Sequence, residues 1–277
     1  MPKVYDRCDL PPDAISSRNL ATMCGRFALT SMPGDLVEEF VLTGGLHGVE
    51  LPSDWNIAPT KEIYAIRASD RGPELVNLSW GLIAPWSKDS TEALRSQSIA
   101  INARTESVDE KPTFRSAFRS RRCLVPATGY YEWATELGQY ESKQPFYIRS
   151  GGTWIDKRSG QQRPKSLAFA GIFDRWVDEN GEIHESASII TREAVGELAT
   201  VHHRMPTFLP EDRWDAWLDP TIRDVPSIRS IMDLTGSGHA PDENLVIAPV
   251  SKLVNSTRNN GPELIKPIEL GESQTLF

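Results

Sequence analysis

The chain has 277 residues, 39% hydrophobic and 25% charged, and 30 basic residues against 38 acidic ones give a formal net charge of -8. This length can bury a sizeable core without a disulfide or metal staple, and eight Trp, nine Phe and six Tyr exclude a wholly disordered chain. Mean hydropathy is -0.38, no run approaches the roughly 20 apolar residues of a membrane helix, and the acidic balance lowers the expectation of nucleic-acid binding while leaving room for a local basic groove.

Residues 1–23 are polar and proline-rich and read as a disordered or removed extension that lacks the apolar segment of a secretory signal. Order is expected from Met23-Cys24-Gly25-Arg26-Phe27 onward. Ser31 to Phe40 reads as a short helix, Ile63 to Ile66 and Leu75 to Leu82 as strands, and Pro112 to Phe118 as a helix with Phe114 and Phe118 one turn apart. Cys123 to Pro126 and the aromatic Tyr130-Tyr131-Glu132-Trp133 read as strands about a Thr128-Gly129 turn. Further strands fall at Pro145 to Ile148, Leu167 to Phe173, Ser186 to Thr191 and Leu245 to Val250, with a polar loop over 151–166. Helices are expected at Glu193 to Ala199, Glu211 to Leu218 and Val225 to Met232. Many short strands with interspersed helices and no repeat predict an α+β chain with one domain over 24–258 and an exposed tail over 259–277. Three cysteines (Cys8, Cys24, Cys123) cannot build a disulfide framework and point to a reducing compartment.

The sequence holds no phosphate loop, CxxC pair, HExxH or GxSxG. Seven short clusters instead set polar groups in apolar frames: Met23 to Phe27, Asn56-Ile57-Ala58-Pro59-Thr60, Trp80-Gly81-Leu82-Ile83-Ala84-Pro85-Trp86, Ile101-Asn102-Ala103-Arg104-Thr105-Glu106, Gly129 to Trp133, Ile189-Ile190-Thr191 and His202-His203-Arg204-Met205-Pro206. In this order, over roughly Met23 to Asn255, they resemble the SRAP family (SOS response-associated peptidase). The resemblance implies an antiparallel β-barrel-like core with flanking helices, and covalent capture of abasic sites in single-stranded DNA by an N-terminal cysteine.

On that resemblance Cys24 is the capturing residue, although a lone cysteine is otherwise a small buried hydrophobe. An N-terminal cysteine carries an amine and a thiol on adjacent carbons, with reference pKa values of about 7.7–8.0 and 8.5. The amine forms an imine with the ring-opened sugar aldehyde, and the thiol closes a thiazolidine. In the family the cysteine follows the initiator methionine, whereas 22 residues precede Met23 here, so the chemistry requires Met23 as the start or cleavage of residues 1–23. Glu132, between two aromatics, is expected to be desolvated, which raises a carboxyl's pKa toward the range of a proton shuttle. The resemblance assigns it that role, and it makes His202 the group that stabilises the opened sugar. Adjacent His202 and His203 point different ways on a strand and no third ligand cluster is visible, so neither a metal nor another cofactor is expected.

Asn102 would orient the N-terminal residue, while Arg26, Arg104 and Arg204 would hold phosphates, their ordinary alternative being surface ion pairs. Asn56 and Thr191 match family positions and join the DNA-binding set. Pro59, Trp80 and Trp86 are either core or a wedge and stacking platform for bases. From Arg104 to Arg122, six basic residues face three acidic ones, which makes this segment the groove expected for DNA. The leading function is thus an abasic-site crosslinking protein. The alternatives are a cysteine autopeptidase that removes its own extension and a non-catalytic reader of modified cytosine. A monomer without membrane attachment is expected, nuclear in a eukaryote and cytoplasmic otherwise. Ser273 to Phe277 faintly resembles a sliding-clamp peptide, leaving replication-fork partners open.

Overall fold

Residues 25–135, 143–233 and 244–270 are described in a computed structural model. Cys24, with the whole 1–23 extension, and Ser273 to Phe277 lie outside the described residues. In chain order the strands are β1 (Arg26–Leu29), β2 (Gly45–His47), β3 (Asp54–Ile57), β4 (Glu62–Arg67), β5 (Glu74–Trp80), β6 (Asn102–Arg104), β7 (Arg122–Ala127), β8 (Gly129–Trp133), β9 (Pro145–Ser150), β10 (Thr153–Ile155), β11 (Gln162–Pro164), β12 (Leu167–Val177), β13 (Ile183–Glu193), β14 (Arg204–Pro206) and β15 (Leu245–Pro249). The helices are α1 (Pro33–Glu39), α2 (Ser90–Ile99), α3 (Pro112–Ser120), α4 (Leu198–Val201), α5 (Trp214–Leu218) and α6 (Val225–Met232).

Five strands close on themselves in the order β13-β12-β7-β4-β5, and β5 returns to β13 at Ser79–Ser186 and Trp80–Ala187. The closing pair is parallel and the other four are antiparallel. Closure leaves these strands with few free edges and a lumen filled by side chains. Gly81 makes the closure possible. Its φ is +111°, and a Cβ there would collide with the Gln97 carbonyl. Its N–H reaches Ala187 O at 2.8 Å, and the next residue, Leu82, donates to Ala100 O at 3.0 Å.

A second, antiparallel sheet, β15-β9-β8-β1-β3, packs on the barrel through aromatic edges. Phe27 of β1 meets Trp80 at 5.1 Å and Phe169 at 6.1 Å between centroids, and Tyr130 of β8 meets Phe169 at 5.9 Å. Such edge-to-face contacts add to the area each ring removes from water. The α3 helix starts at Pro112, whose missing N–H costs nothing at a first turn, and turns Phe114, Ala117 and Phe118 inward.

Two expectations are corrected. Within the stretch Glu193 to Ala199 expected as helix, Glu193 instead ends β13, kept extended by pairing with Arg204, and helix begins only at Leu198, after Gly196 at φ +56°. The polar stretch 151–166 forms the β10–β11 hairpin, tied to α1 by Arg158 with Asp35 and Glu38. In the described part of the tail from 259, Leu264 is buried and Ile268 N donates to Pro249 O at 2.9 Å, while most of the other side chains are exposed.

Candidate functional site

The site is built where β13 outruns the barrel. Beyond Ala187 its last residues are flanked by β6 in parallel, with Asn102 opposite Ile189 and Arg104 opposite Thr191. On the other edge lies β14, with Thr191 opposite Pro206 and Glu193 opposite Arg204. Asn102, Thr191 and Arg204 therefore sit on three neighbouring strands, all buried.

Strand β8 brings Glu132 to the same place. Just past its end, Thr135 N donates to Val201 O at 3.1 Å, which ties β8 to the short helix preceding His202. Glu132 and His202 are only 3% and 4% exposed, and Glu132 Oε2 lies 3.7 Å from His202 Nδ1. The Arg204 N–H also reaches Nδ1, at 3.1 Å. The Arg204 carbonyl lies 3.2 Å from the same nitrogen, so the Arg204 backbone offers Nδ1 a donor or an acceptor according to the tautomer. Burial holds the His202 pKa below its ordinary value, against the backbone hydrogen bond to Arg204, which raises it; the charges of His203 and Arg204 add to the lowering. The His202 and His203 rings lie 4.4 Å apart between centroids. Among the described residues the group of three metal-ligand side chains is Asp178, Glu182 and His184, at the opposite end of β13.

Arg204 clamps the strands under this pair. Its fork engages both oxygens of Glu106, and Nη2 donates to Thr191 O at 2.7 Å and to Thr191 Oγ1 at 3.3 Å. The guanidinium holds the Glu106 carboxyl far down, at about 2. The sequence reading gives Glu106 no role. The signal available for it was a carboxylate in one short polar cluster and an arginine in another.

Arg26 and Asn56 form a second cluster. Arg26 Nη1 donates to Asn56 Oδ1 at 2.6 Å and Val254 O at 2.9 Å, and Asn56 Nδ2 lies 2.9–3.3 Å from the carbonyls of Val254, Ser256 and Asn259. Trp133, next to Glu132, donates to Asn255 Oδ1 at 2.7 Å, and the Arg26 guanidinium lies 6.0 Å from its ring. These side chains hold the segment after β15 against β1, β3 and β8. The antiparallel register pairs Arg26 with Tyr131, so the chain approaches β1 from the Glu132 end of β8.

The two expected stacking tryptophans differ. Trp80 is 1% exposed and its indole N–H bonds Ile101 O at 3.0 Å, so it is core and offers no face to a base. Trp86 is 52% exposed. Pro59 is half-buried, beside a turn in which Thr60 N bonds Trp80 O at 2.8 Å. Arg104 is exposed, without an ion-pair partner among the described residues.

The profile of the SOS response associated peptidase (SRAP) family matches residues 23–257, and the chain belongs to that family. It is 33% identical over 244 residues to the abasic site processing protein YoqW of Bacillus subtilis, covering 88% of this chain and 99% of that protein. It is 34% identical over 209 residues to the abasic site processing protein HMCES of Gallus gallus, covering 71% of this chain and 58% of that protein. A solved structure of a Bacteroides thetaiotaomicron protein superposes with a TM-score of 0.70 at 25% identity, over 89% of this chain and 100% of that one.

Proposed function

We propose that this chain processes abasic sites in single-stranded DNA by linking them covalently to Cys24, presented as the first residue of the chain. The observation that carries the reading is the buried Glu132–His202 pair at the end of β8 from which β1 is approached. Cys24 stands two residues before β1. The family membership and the abasic-site processing relatives support the substrate class.

The amine of Cys24 attacks the aldehyde carbon of the opened sugar. Its nitrogen loses protons, the aldehyde oxygen leaves as water, and an imine remains. The thiol sulfur then adds to the imine carbon while its proton passes to the nitrogen, closing the thiazolidine; the net loss is one water. Glu132 supplies the proton to the departing oxygen and takes it back on reversal. A neutral His202 relays protons and bonds the sugar hydroxyl freed by ring opening. Asn102 orients the N-terminal residue. Trp86, Pro59 and Arg104 contact the strand, while Thr191 and Arg204 position the His202 segment, and Arg26 and Asn56 position the segment after β15.

Intact mass after incubation with a single-stranded oligonucleotide bearing one abasic site tests this. An adduct on a species beginning at Cys24 supports the reading. Protein produced with Cys24 first that stays unmodified overturns it in favour of a non-covalent reader. Loss of residues 1–23 in wild type and its retention in Cys24→Ala would add the autopeptidase activity.

A further inference from the structure

We infer that the outward stripe Lys111, Arg115 and Arg119 along α3 is a phosphate track for the DNA strand whose abasic nucleotide occupies the Glu132–His202 site. This rests on the function proposed above.

The six basic residues between 104 and 122 divide once folded. Arg121 pairs with Asp174 at 2.8 Å. Arg122 is buried, with its guanidinium on the carbonyls of Phe118, Arg119, Trp217 and Asp219. Neither reaches a ligand. Arg104, Lys111, Arg115 and Arg119 are exposed, with no ion pair among the described residues.

The acidic residues of the segment divide the opposite way. Glu106 is engaged by Arg204, and Asp109, which lies near Arg119, is engaged by Arg229 at 2.5 Å. Within the segment, Glu110 is then the exposed carboxylate left beside four exposed cations, with Asp109 shared between Arg229 and the charge of Arg119, so the surface of this segment is positive on an acidic protein.

Geometry makes the cations a line. Phe114, Ala117 and Phe118 face the barrel, which fixes the opposite face outward. The spacing of four residues sets Arg115 and Arg119 on one stripe about 6 Å apart, and Lys111, at the N-cap, extends the row to about 12 Å. That length serves three to four nucleotides at the roughly 3.4 Å rise of a strand. The line also follows the site along the chain. β6 carries Asn102, the turns after it carry Glu106 on Arg204, and the same turns end at Lys111, whose N–H bonds Ser107 O at 3.0 Å. Arginine and lysine on a solvated helix face, with no carboxylates between them, complement a chain of phosphates and no particular base.

The test is noncovalent binding of full-length protein to a single-stranded oligonucleotide with a tetrahydrofuran abasic analogue, titrated across salt. Each phosphate contact to a single strand contributes about 0.7 to the slope of log K against log salt. Arg115→Gln/Arg119→Gln is expected to lower that slope by about 1.4 and to weaken binding about 25-fold at 0.1 M salt. Arg71→Gln/Arg223→Gln removes the same charge from exposed positions elsewhere and is expected to match wild type. Equal losses in the two pairs would reduce the effect to net charge and overturn the track. So would wild-type slope and affinity in Arg115→Gln/Arg119→Gln while wild type binds and crosslinks. Wild type that neither binds the analogue nor crosslinks a true abasic site would instead overturn the underlying function.

Discussion

Replacing Asn56 with alanine separates a structural role from a DNA contact. Asn56 is fully buried, its Oδ1 takes a 2.6 Å bond from Arg26, and its Nδ2 faces three carbonyls of the segment 254–259. An amide nitrogen has two protons, so two of those carbonyls are served at once and three hydrogen bonds vanish with the side chain. At about 1 kcal/mol net for each, Asn56→Ala is expected to lose about 3 kcal/mol, with Arg26 partly compensated by its bond to Val254 O. For a chain of this size that is roughly 6–12 °C in Tm. Urea unfolding of wild type and variant measures the loss, and binding to undamaged single-stranded DNA is measured in parallel. A stability change below about 0.5 kcal/mol together with a tenfold loss of affinity would show that the amide faces DNA and that the reasoning from its bonds is wrong.

Glu132→Gln preserves shape and removes the proton shuttle, so single-turnover crosslinking is expected to slow by about 100- to 10,000-fold; a rate within threefold of wild type would remove Glu132 from the chemistry. Trp86→Ala is expected to weaken strand binding by about 1–3 kcal/mol without lowering Tm, because the ring is already half in solvent; unchanged affinity in a binding titration would assign it no base. Glu106 titrates near 4.5 when unfolded and near 2 in the fold, so its stabilisation is complete above 4.5 and is lost as pH falls toward 2. With its side chain 56% exposed, the ideal loss by pH 3.5 is halved for solvent screening to about 0.7 kcal/mol. Denaturation at pH 6 and pH 3.5 should show wild type losing that much more than Glu106→Gln, and equal losses would dissolve the pair as a stabilising contact.

How much of this was readable beforehand follows from the range of each signal. Strands such as β12 and β13 carry dense apolar and aromatic runs, and these declare themselves locally. Their full lengths did not, because the ends are held by pairing with segments far away in sequence. β6 and β14, at three residues each, are too short for any period, yet they carry Asn102 and Arg204. α2 escaped notice because Ala93 and Gln97 are its buried residues, and a polar helix capped by Asp89 leaves no apolar stripe. The parallel closure of β5 on β13 has no local signature at all. At the site, the motifs name Glu132 and His202, and the fold brings the two within 3.7 Å of each other. Motif order could not tell buried Trp80 from exposed Trp86, nor an arginine held by protein carbonyls from one facing solvent.

That last distinction shapes the whole site. Arg26 and Arg204, both expected to hold phosphates, bond instead to asparagine, threonine, glutamate and backbone carbonyls that come from separate stretches of chain. A guanidinium has five donors in a fixed plane, so each arginine fixes the relative position of the segments it joins more tightly than apolar contact would. Glu132 and His202 stand between these two clamps: Trp133 adjoins the Arg26 cluster, and Arg204 follows His202 by two residues. Reaction at a positioned carboxyl and imidazole loses rate steeply with misplacement of about 1 Å. On the proposed function, half-buried Arg26 and buried Arg204 serve the chemistry by holding the backbone on either side of it, and the attraction for DNA falls to the exposed cations outside.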